Sequence, residues 1–285
     1  MEFATQSLVL VFVVSTMLNV GLLLSPREIV LAMNDGQWLA RALLANLVLL
    51  PALALAIAWL LQLDAVLRAG LLILATAPGG PALIKLASLA RGNAALAVGL
   101  LVLLLLAGVV SQPLLLPLLL DEVSVGPGPI ILTLVCTVLV PLLLGLLVKQ
   151  RLARVASRLQ LPMQRLSTLS MLLILILLPL LHWQELREIS RGGAFGAAAL
   201  FIALAACGGW LLGGPRPAAR RMLSLSCGQP NMAAAMIIAG QNFSDPRVAL
   251  MLLVIIISSL PIVVSLSLLY AHQVRAGDSL KPASQ

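Results

Sequence analysis

Along the chain, apolar runs of about 20 residues alternate with short clusters of charge, proline and glycine. Inside each run Leu, Val, Ile and Ala follow one another without the period-2 alternation of a membrane β-barrel, so the backbone must satisfy its hydrogen bonds as helix. A helix of about 20 mostly apolar residues spans hydrocarbon. Nine segments qualify: 4–24, 40–62, 66–90, 94–120, 129–149, 166–183, 194–213, 218–240 and 247–271. The predicted fold class is an all-α polytopic membrane protein.

Two of the nine segments are interrupted. In "LATAPGGPALIKLASLARGN" (74–93) the run Pro78-Gly79-Gly80-Pro81 falls mid-segment, where two prolines remove backbone donors and two glycines permit non-helical dihedrals. Each half is then too short to span, since twelve residues rise about 18 Å against roughly 30 Å of hydrocarbon. The eighth segment repeats the device in "SCGQPNMAAAMIIAGQN" (226–242), and a shift of 149 residues brings Pro81 onto Pro230, Gly79 onto Gly228 and Asn93 onto Asn242. One break alone would read as an ordinary kink. Two in register point to a secondary transporter whose substrate and ions meet half-helix ends and unwound backbone. The candidate crossover comprises Thr76, Pro78, Gly79, Gly80, Pro81 and Lys85 from the first break, with Ser226, Cys227, Gly228, Gln229, Pro230 and Asn231 from the second.

Composition agrees: 61% of the 285 residues are hydrophobic, 10% are charged, and the mean hydropathy is +1.11. With the N-terminus outside, thirteen Lys and Arg fall on the cytoplasmic side, from Arg27 to Lys281, against Arg68, Arg187, Arg191 and Arg247 opposite. The stretch "KQRLARVASRLQLPMQR" (149–165), read as a loop, dominates that bias, and the acidic "DEVSVGPG" falls outside. The net charge of +8 therefore reflects topology and anionic lipid; a basic face interleaved with aromatics, which nucleic acid would require, is absent. The N-terminus (MEFATQS) has no basic region and its apolar run continues too far for a cleavable signal, so it is read as a membrane helix. The expected location is a bacterial-type inner membrane, N-terminus outside and C-terminus cytoplasmic. Cys136, Cys207 and Cys227 lack metal or disulfide spacing. No Ser/His/Asp set, Walker loop or metal-spaced cluster occurs, so enzyme or ATP-driven chemistry is not expected.

"APGGPALIKLASLARGNAALAV" (77–98), "GQPNMAAAMIIA" (228–239) and "NLVLLP" (46–51) resemble the signatures of the bile acid:sodium symporter family, and the resemblance runs nearly end to end. It implies two inverted repeats, a core domain holding the crossed broken helices and a panel domain beside it. On this chain the expected repeats are 1–128, with four helices and a break near 78–81, and 129–271, with five and a break near 228–230, followed by a cytoplasmic tail at 272–285. The family's first helix is then missing. The resemblance also implies two sodium sites around the crossover, and most of their ligands are replaced: Leu83, Ile84, Ala97 and Leu101 stand at oxygen-bearing positions, Ser226 at a glutamate and Pro230 at a glutamine. Asn46, Asn231 and Gln229 survive. The first site is therefore not expected, and the second keeps only Asn46, Ser226 and backbone carbonyls.

Lys85 is the gain at the same place. An ammonium at membrane depth costs about 2.5–3.5 kcal/mol on insertion scales, so it marks function or a paired charge. Either it stands where Na⁺ stood, fixed or titrating, or it snorkels toward Arg91. Asn19 supports a helix contact or the cavity, Gln112 and Ser111 join helices, Thr76 lines the cavity, and His182 with Trp183 marks an interface. Asp64 and Asp245 read as solvated. The expected function is alternating-access carriage of a small organic anion or amphipathic metabolite, sodium-independent or proton-linked. The alternatives are a Na⁺-coupled symporter on the residual site and a non-transporting receptor or scaffold. No cofactor is expected; a homodimer stays open.

Overall fold

A computed structural model describes residues 2–24, 35–120 and 127–279. Arg27, Lys281 and most of the acidic "DEVSVGPG" lie outside the described residues. The chain forms helices α1 (Glu2–Leu23), α2 (Gly36–Leu60), α3 (Ala65–Ala75), α4 (Leu83–Leu89), α5 (Ala94–Leu119) and α6 (Pro127–Arg151), then α7 (Ala153–Leu181), α8 (Trp183–Arg191), α9 (Ala194–Leu212), α10 (Pro217–Gly228), α11 (Met232–Asn242) and α12 (Pro246–Ser279). Seven of these, α1, α2, α5, α6, α7, α9 and α12, are long and apolar enough to cross a membrane. The other two predicted segments are the broken pairs α3/α4 and α10/α11. Among the described residues there is no strand.

Short polar residues start several helices. Asp35 accepts from the Trp38 amide at 3.1 Å, Asp64 from Leu67 at 2.8 Å, Asn93 from Leu96 at 3.2 Å and Asn231 from Ala234 at 3.1 Å. Asp64 is thus a helix cap, not merely a solvated loop residue. Both α2 and α6 widen by one π turn, at Ala45–Leu49 and Val135–Leu139, just before Pro51 and Pro141. The cause is the proline ring, which clashes with the carbonyl four residues back and offers no N–H; the i→i−5 bonds from Leu50 to Ala45 and from Val140 to Val135 absorb the misfit.

The helices form two groups. In one, α1 packs along α6 and α7; in the other, α9, α10, α12, α2 and α3 surround the breaks with α4, α5 and α11. Gly21 and Gly145 set the spacing of the first group, since a Cβ on either would come within 2.1 Å of the Leu142 carbonyl or 2.4 Å of the Leu18 carbonyl. The groups are bridged at one end, where Gln6 Nε2 donates to the Gly240 carbonyl at 3.4 Å and Thr133 Oγ1 to Gln241 Oε1 at 2.6 Å. Large apolar side chains such as Trp59 (82% exposed) and Leu118 (76%) cover the outside, as a hydrocarbon environment requires.

Two boundaries differ from the sequence reading. The basic stretch 149–165 is not a loop: α7 begins at Ala153 and carries Arg154, Arg158 and Arg165 on its exposed side. Its periodic Ala156 and Ser170 pack inward while the arginines face out, which is amphipathic helix, not coil. Likewise α12 continues through Ser279, so the first part of the expected 272–285 tail is helical.

Candidate functional site

The two breaks meet back to back. The Asn231 amide donates to the Ala77 carbonyl at 2.7 Å, and a Cβ at Gly80 would lie 2.1 Å from the Gln229 carbonyl oxygen and 2.5 Å from that of Pro230. Glycine alone fits there. Gly79 adopts φ +82° against the α5 backbone at Leu105, and the Pro78 ring packs on Gly108 of α5, leaving Pro81 to face open space. The Pro-Gly-Gly-Pro run is therefore three packing contacts and one residue left to line the cavity.

Around the crossing the polar groups divide sharply. Thr76 does not line the cavity: it is buried and its hydroxyl donates to the Leu72 and Ile73 carbonyls at 2.9 and 3.1 Å. The Leu72 carbonyl keeps its helical bond from the Thr76 amide at 3.0 Å, whereas the Ile73 carbonyl loses its helical donor at the break because the Ala77 amide turns to Leu74; the Thr76 hydroxyl and Gln112, which donates to Ile73 at 3.1 Å, replace it. At the second break Asn46, fully buried in the α2 π turn, donates to the Ala42 carbonyl at 2.9 Å and to Cys227 Sγ at 3.7 Å. Its Oδ1 and the buried Ser226 Oγ have no hydrogen-bond partner among the described residues. Leu83, Ala97 and Leu101 are fully buried hydrocarbon. Gly228 packs against Val263 and Ala206, and Ser224 accepts from the Tyr270 hydroxyl at 2.9 Å.

A cavity with about 1050 Å³ of open space lies between the two helix groups. Its crossover wall is Pro81, Ile84 and Lys85 with Gln229 and Pro230. The opposite wall comes from α1 and α7, where Thr16 and Ser167 share a hydrogen bond of 2.6 Å beside Asn19, whose buried Oδ1 also lacks a partner. Lys85 is the one charged residue among those lining it. The sequence implied a buried ammonium, but Lys85 is exposed and borders both this cavity and a groove running to Arg91 and Arg275. Thr16, Gln164, Ser167 and Thr168 escaped sequence reasoning. The Thr16 and Thr168 hydroxyls also bond helix carbonyls, of Phe12 at 2.6 Å and Gln164 at 2.9 Å, a pattern shared with any membrane helix.

The remaining chemistry-bearing residues sit away from the cavity. His182 Nδ1 lies 3.5 Å from Glu185 Oε1, and Arg247 bridges Asp245 at 2.7 Å and Glu188 at 3.3 Å. Hydrogen bonding from the Arg247 guanidinium holds the Asp245 carboxyl below the usual carboxylate range. Asp245 is therefore an ion-pair partner and not a bare loop charge. No group of three or more His, Cys, Asp or Glu could hold a metal among the described residues.

A polytopic helical bundle whose two broken helices cross beside a cavity has the architecture of a secondary membrane transporter. The chain belongs to the Sodium Bile acid symporter family, whose model matches residues 9–189, a stretch that contains the first break and stops before the second. It is 27% identical over 243 residues to the probable sodium/metabolite cotransporter BASS2, chloroplastic, of Oryza sativa subsp. japonica, covering 82% of this chain and 56% of that protein. It is 29% identical over 145 residues to the uncharacterized sodium-dependent transporter YocS of Bacillus subtilis (strain 168), covering 50% of this chain and 45% of that one. The chain spans about half the length of the curated relatives it matches.

Proposed function

We propose that this protein is an alternating-access carrier of a small organic anion or amphipathic metabolite, with Lys85 supplying the positive charge that receives the substrate's acidic group. The observation that carries this reading is the lone charge of Lys85 on an otherwise apolar and neutral cavity wall. A carboxylate or sulfonate there finds one cation, the Thr16, Asn19 and Gln229 polar groups for orientation, and hydrocarbon for the rest of the molecule. Hydrocarbon at Leu83, Ala97 and Leu101 supports a carrier without the first sodium site. A fixed cation from the protein then substitutes for an ion that relatives named sodium-dependent would bring. With the basic end of the bundle cytoplasmic, the hydrogen bonds of Gln6 and Thr133 close the outer end in this arrangement.

Proteoliposome uptake tests it, using a panel of labelled short carboxylates, sulfonates and bile acids under Na⁺, K⁺ or proton gradients. The expected result is accumulation of at least one organic anion without a sodium requirement, lost in Lys85→Ala. Transport in Lys85→Ala with unchanged substrate and pH profiles refutes the role of Lys85. Absence of flux for every anion favours a receptor or scaffold.

A second reading, sodium coupling through a residual site, is favoured by one observation: Asn46 Oδ1 and Ser226 Oγ are buried oxygens without partners beside the crossover. Hard oxygen donors of this kind suit a small cation, although no carboxylate joins them. Thermal stability of purified protein in NaCl against choline chloride at matched ionic strength separates the readings, because a ligand of the folded state alone stabilises it by mass action.

A further inference from the structure

We propose that the groove between the end of α4 and the last turns of α12 binds the headgroup of an anionic phospholipid of the phosphatidylglycerol type. This inference does not depend on which substrate the central cavity carries. The groove holds about 1100 Å³ and brings Lys85, Ser88 and Arg91 together with His272 and Arg275. No acidic residue lines it among the described residues.

Some arginines elsewhere find partners within the chain: Arg216 pairs with Asp35 at 2.5 Å, Arg247 with Asp245, and Arg220 with the Gly214 carbonyl at 2.7 Å and the Trp210 ring. Lys85, Arg91, His272 and Arg275 make no ion pair among the described residues. Positive charge left concentrated in this way asks for an anion from outside the chain.

The backbone at Arg91 adds a second observation. Its φ is +53°, the left-handed conformation that glycine normally holds at the end of a helix, while the adjacent Gly92 donates to the Ala87 carbonyl at 2.8 Å to finish the turn. A non-glycine residue held there is strained, and such strain gathers at ligand-binding positions. Here it sets a guanidinium on the rim of the groove.

The neighbouring surface selects a lipid over a soluble anion. Leu89 (40% exposed) and Leu268 (53%) lie on the same rim, and Arg275 closes the apolar stretch of α12 that begins at Pro246. Cations at the end of a membrane helix beside outward-facing leucines match a phosphate at interface depth with an acyl chain running alongside. Since Lys85 belongs to both the groove and the central cavity, a bound headgroup would draw its ammonium toward the interface and make the charge in the cavity depend on lipid composition.

Native mass spectrometry of the full chain, purified and exposed to an equimolar mixture of phosphatidylglycerol and phosphatidylcholine, tests this. Wild type is expected to retain phosphatidylglycerol preferentially. Arg91→Gly combined with Arg275→Gln should lower that preference about thirtyfold, roughly fivefold to sixfold for each surface cation removed. Arg91→Gly suits the left-handed backbone, so misfolding is not the expected cause, and an unchanged melting temperature in phosphatidylcholine nanodiscs checks it. Lys149→Gln with Arg151→Gln, outside the groove, should leave the preference intact. Equal retention of both lipids by wild type, or full retention by the groove variant, overturns the proposal. Stabilisation by inorganic phosphate that is lost in the groove variant, without lipid preference, overturns it in favour of a soluble-anion site.

Discussion

The two breaks that cross at the centre of the bundle look alike in sequence and differ in what holds them. The first, Ala77–Pro81, is held by shape: glycines pressed on carbonyls, a proline ring on Gly108, and fully buried hydrocarbon at Leu83, Ala97 and Leu101. The second, Gln229–Asn231, stays polar, with a capping asparagine, the Asn46 amide and two buried oxygens that have no hydrogen-bond partner among the described residues. One side of the crossing is therefore held by steric fit and the other keeps polar groups, because packing and hydrogen bonding are carried by different atoms. The charged residue on the shaped side is Lys85, in the first turn of α4.

The largest expected effect comes from attacking the shape of the first break. In Gly80→Val the new Cβ meets two carbonyl oxygens at 2.1 and 2.5 Å, and neither can retreat without parting the crossed segments. Loss of folded, monodisperse protein on size exclusion is expected, an effect beyond about 4 kcal/mol. Gly196→Ala, where a Cβ meets nothing within 4 Å, is the matched control and should be neutral. A folded Gly80→Val with the wild-type melting temperature would show that the crossing is looser than this geometry. Next in size is Lys85→Ala: flux of the anionic substrate should fall by tenfold or more while the melting temperature changes little, since the side chain is exposed and unpaired. Lys85→Arg keeps the charge and should retain most binding.

The nine apolar segments and both breaks were legible because proline, glycine and hydrocarbon have local consequences. What escaped was set by tertiary packing. Thr76 sits just before an unwound segment, which in sequence looks like a cavity position, yet the break frees the Ile73 carbonyl, which claims its hydroxyl first. The start of α7 was hidden because its arginines read as loop charge, although Ala156 and Ser170 carry the helical period beneath them. The wall formed by Thr16 and Ser167 has no signal of its own; it becomes a wall only when α1 and α7 lie side by side. Lys85 stands out in the sequence as a charge within an apolar segment, but its place between the cavity and a groove along α12 follows from how α4 packs.

A smaller effect separates the two accounts of the second break. An unsatisfied buried hydroxyl costs about 1–3 kcal/mol. If nothing binds Ser226 Oγ, Ser226→Ala removes that cost, and the variant should be at least as stable as wild type in any salt. If sodium binds there, wild type is more stable in NaCl than in choline chloride, and Ser226→Ala and Asn46→Ala each lose that difference. Differential scanning fluorimetry in the two salts reads the sign directly. A sodium response that survives in both variants would move the ion away from these oxygens.

The finest distinction concerns the helix that leaves each break. α4 starts at Leu83 with no side-chain cap, whereas α11 starts with the Asn231 side chain accepting from the Ala234 amide at 3.1 Å. Asn231→Ala removes that acceptor and leaves the backbone bond from residue 231 to Ala77 untouched. The loss expected from an N-cap is about 1 kcal/mol, roughly a fivefold rise in opening of the first turn of α11. Hydrogen exchange at the Ala234 amide should accelerate by that factor, while amides in α4, already uncapped, keep their rates. Equal acceleration in both half-helices would mean that the crossed segments open as one unit, and that the contrast between a shaped break and a polar one does not extend to their motion.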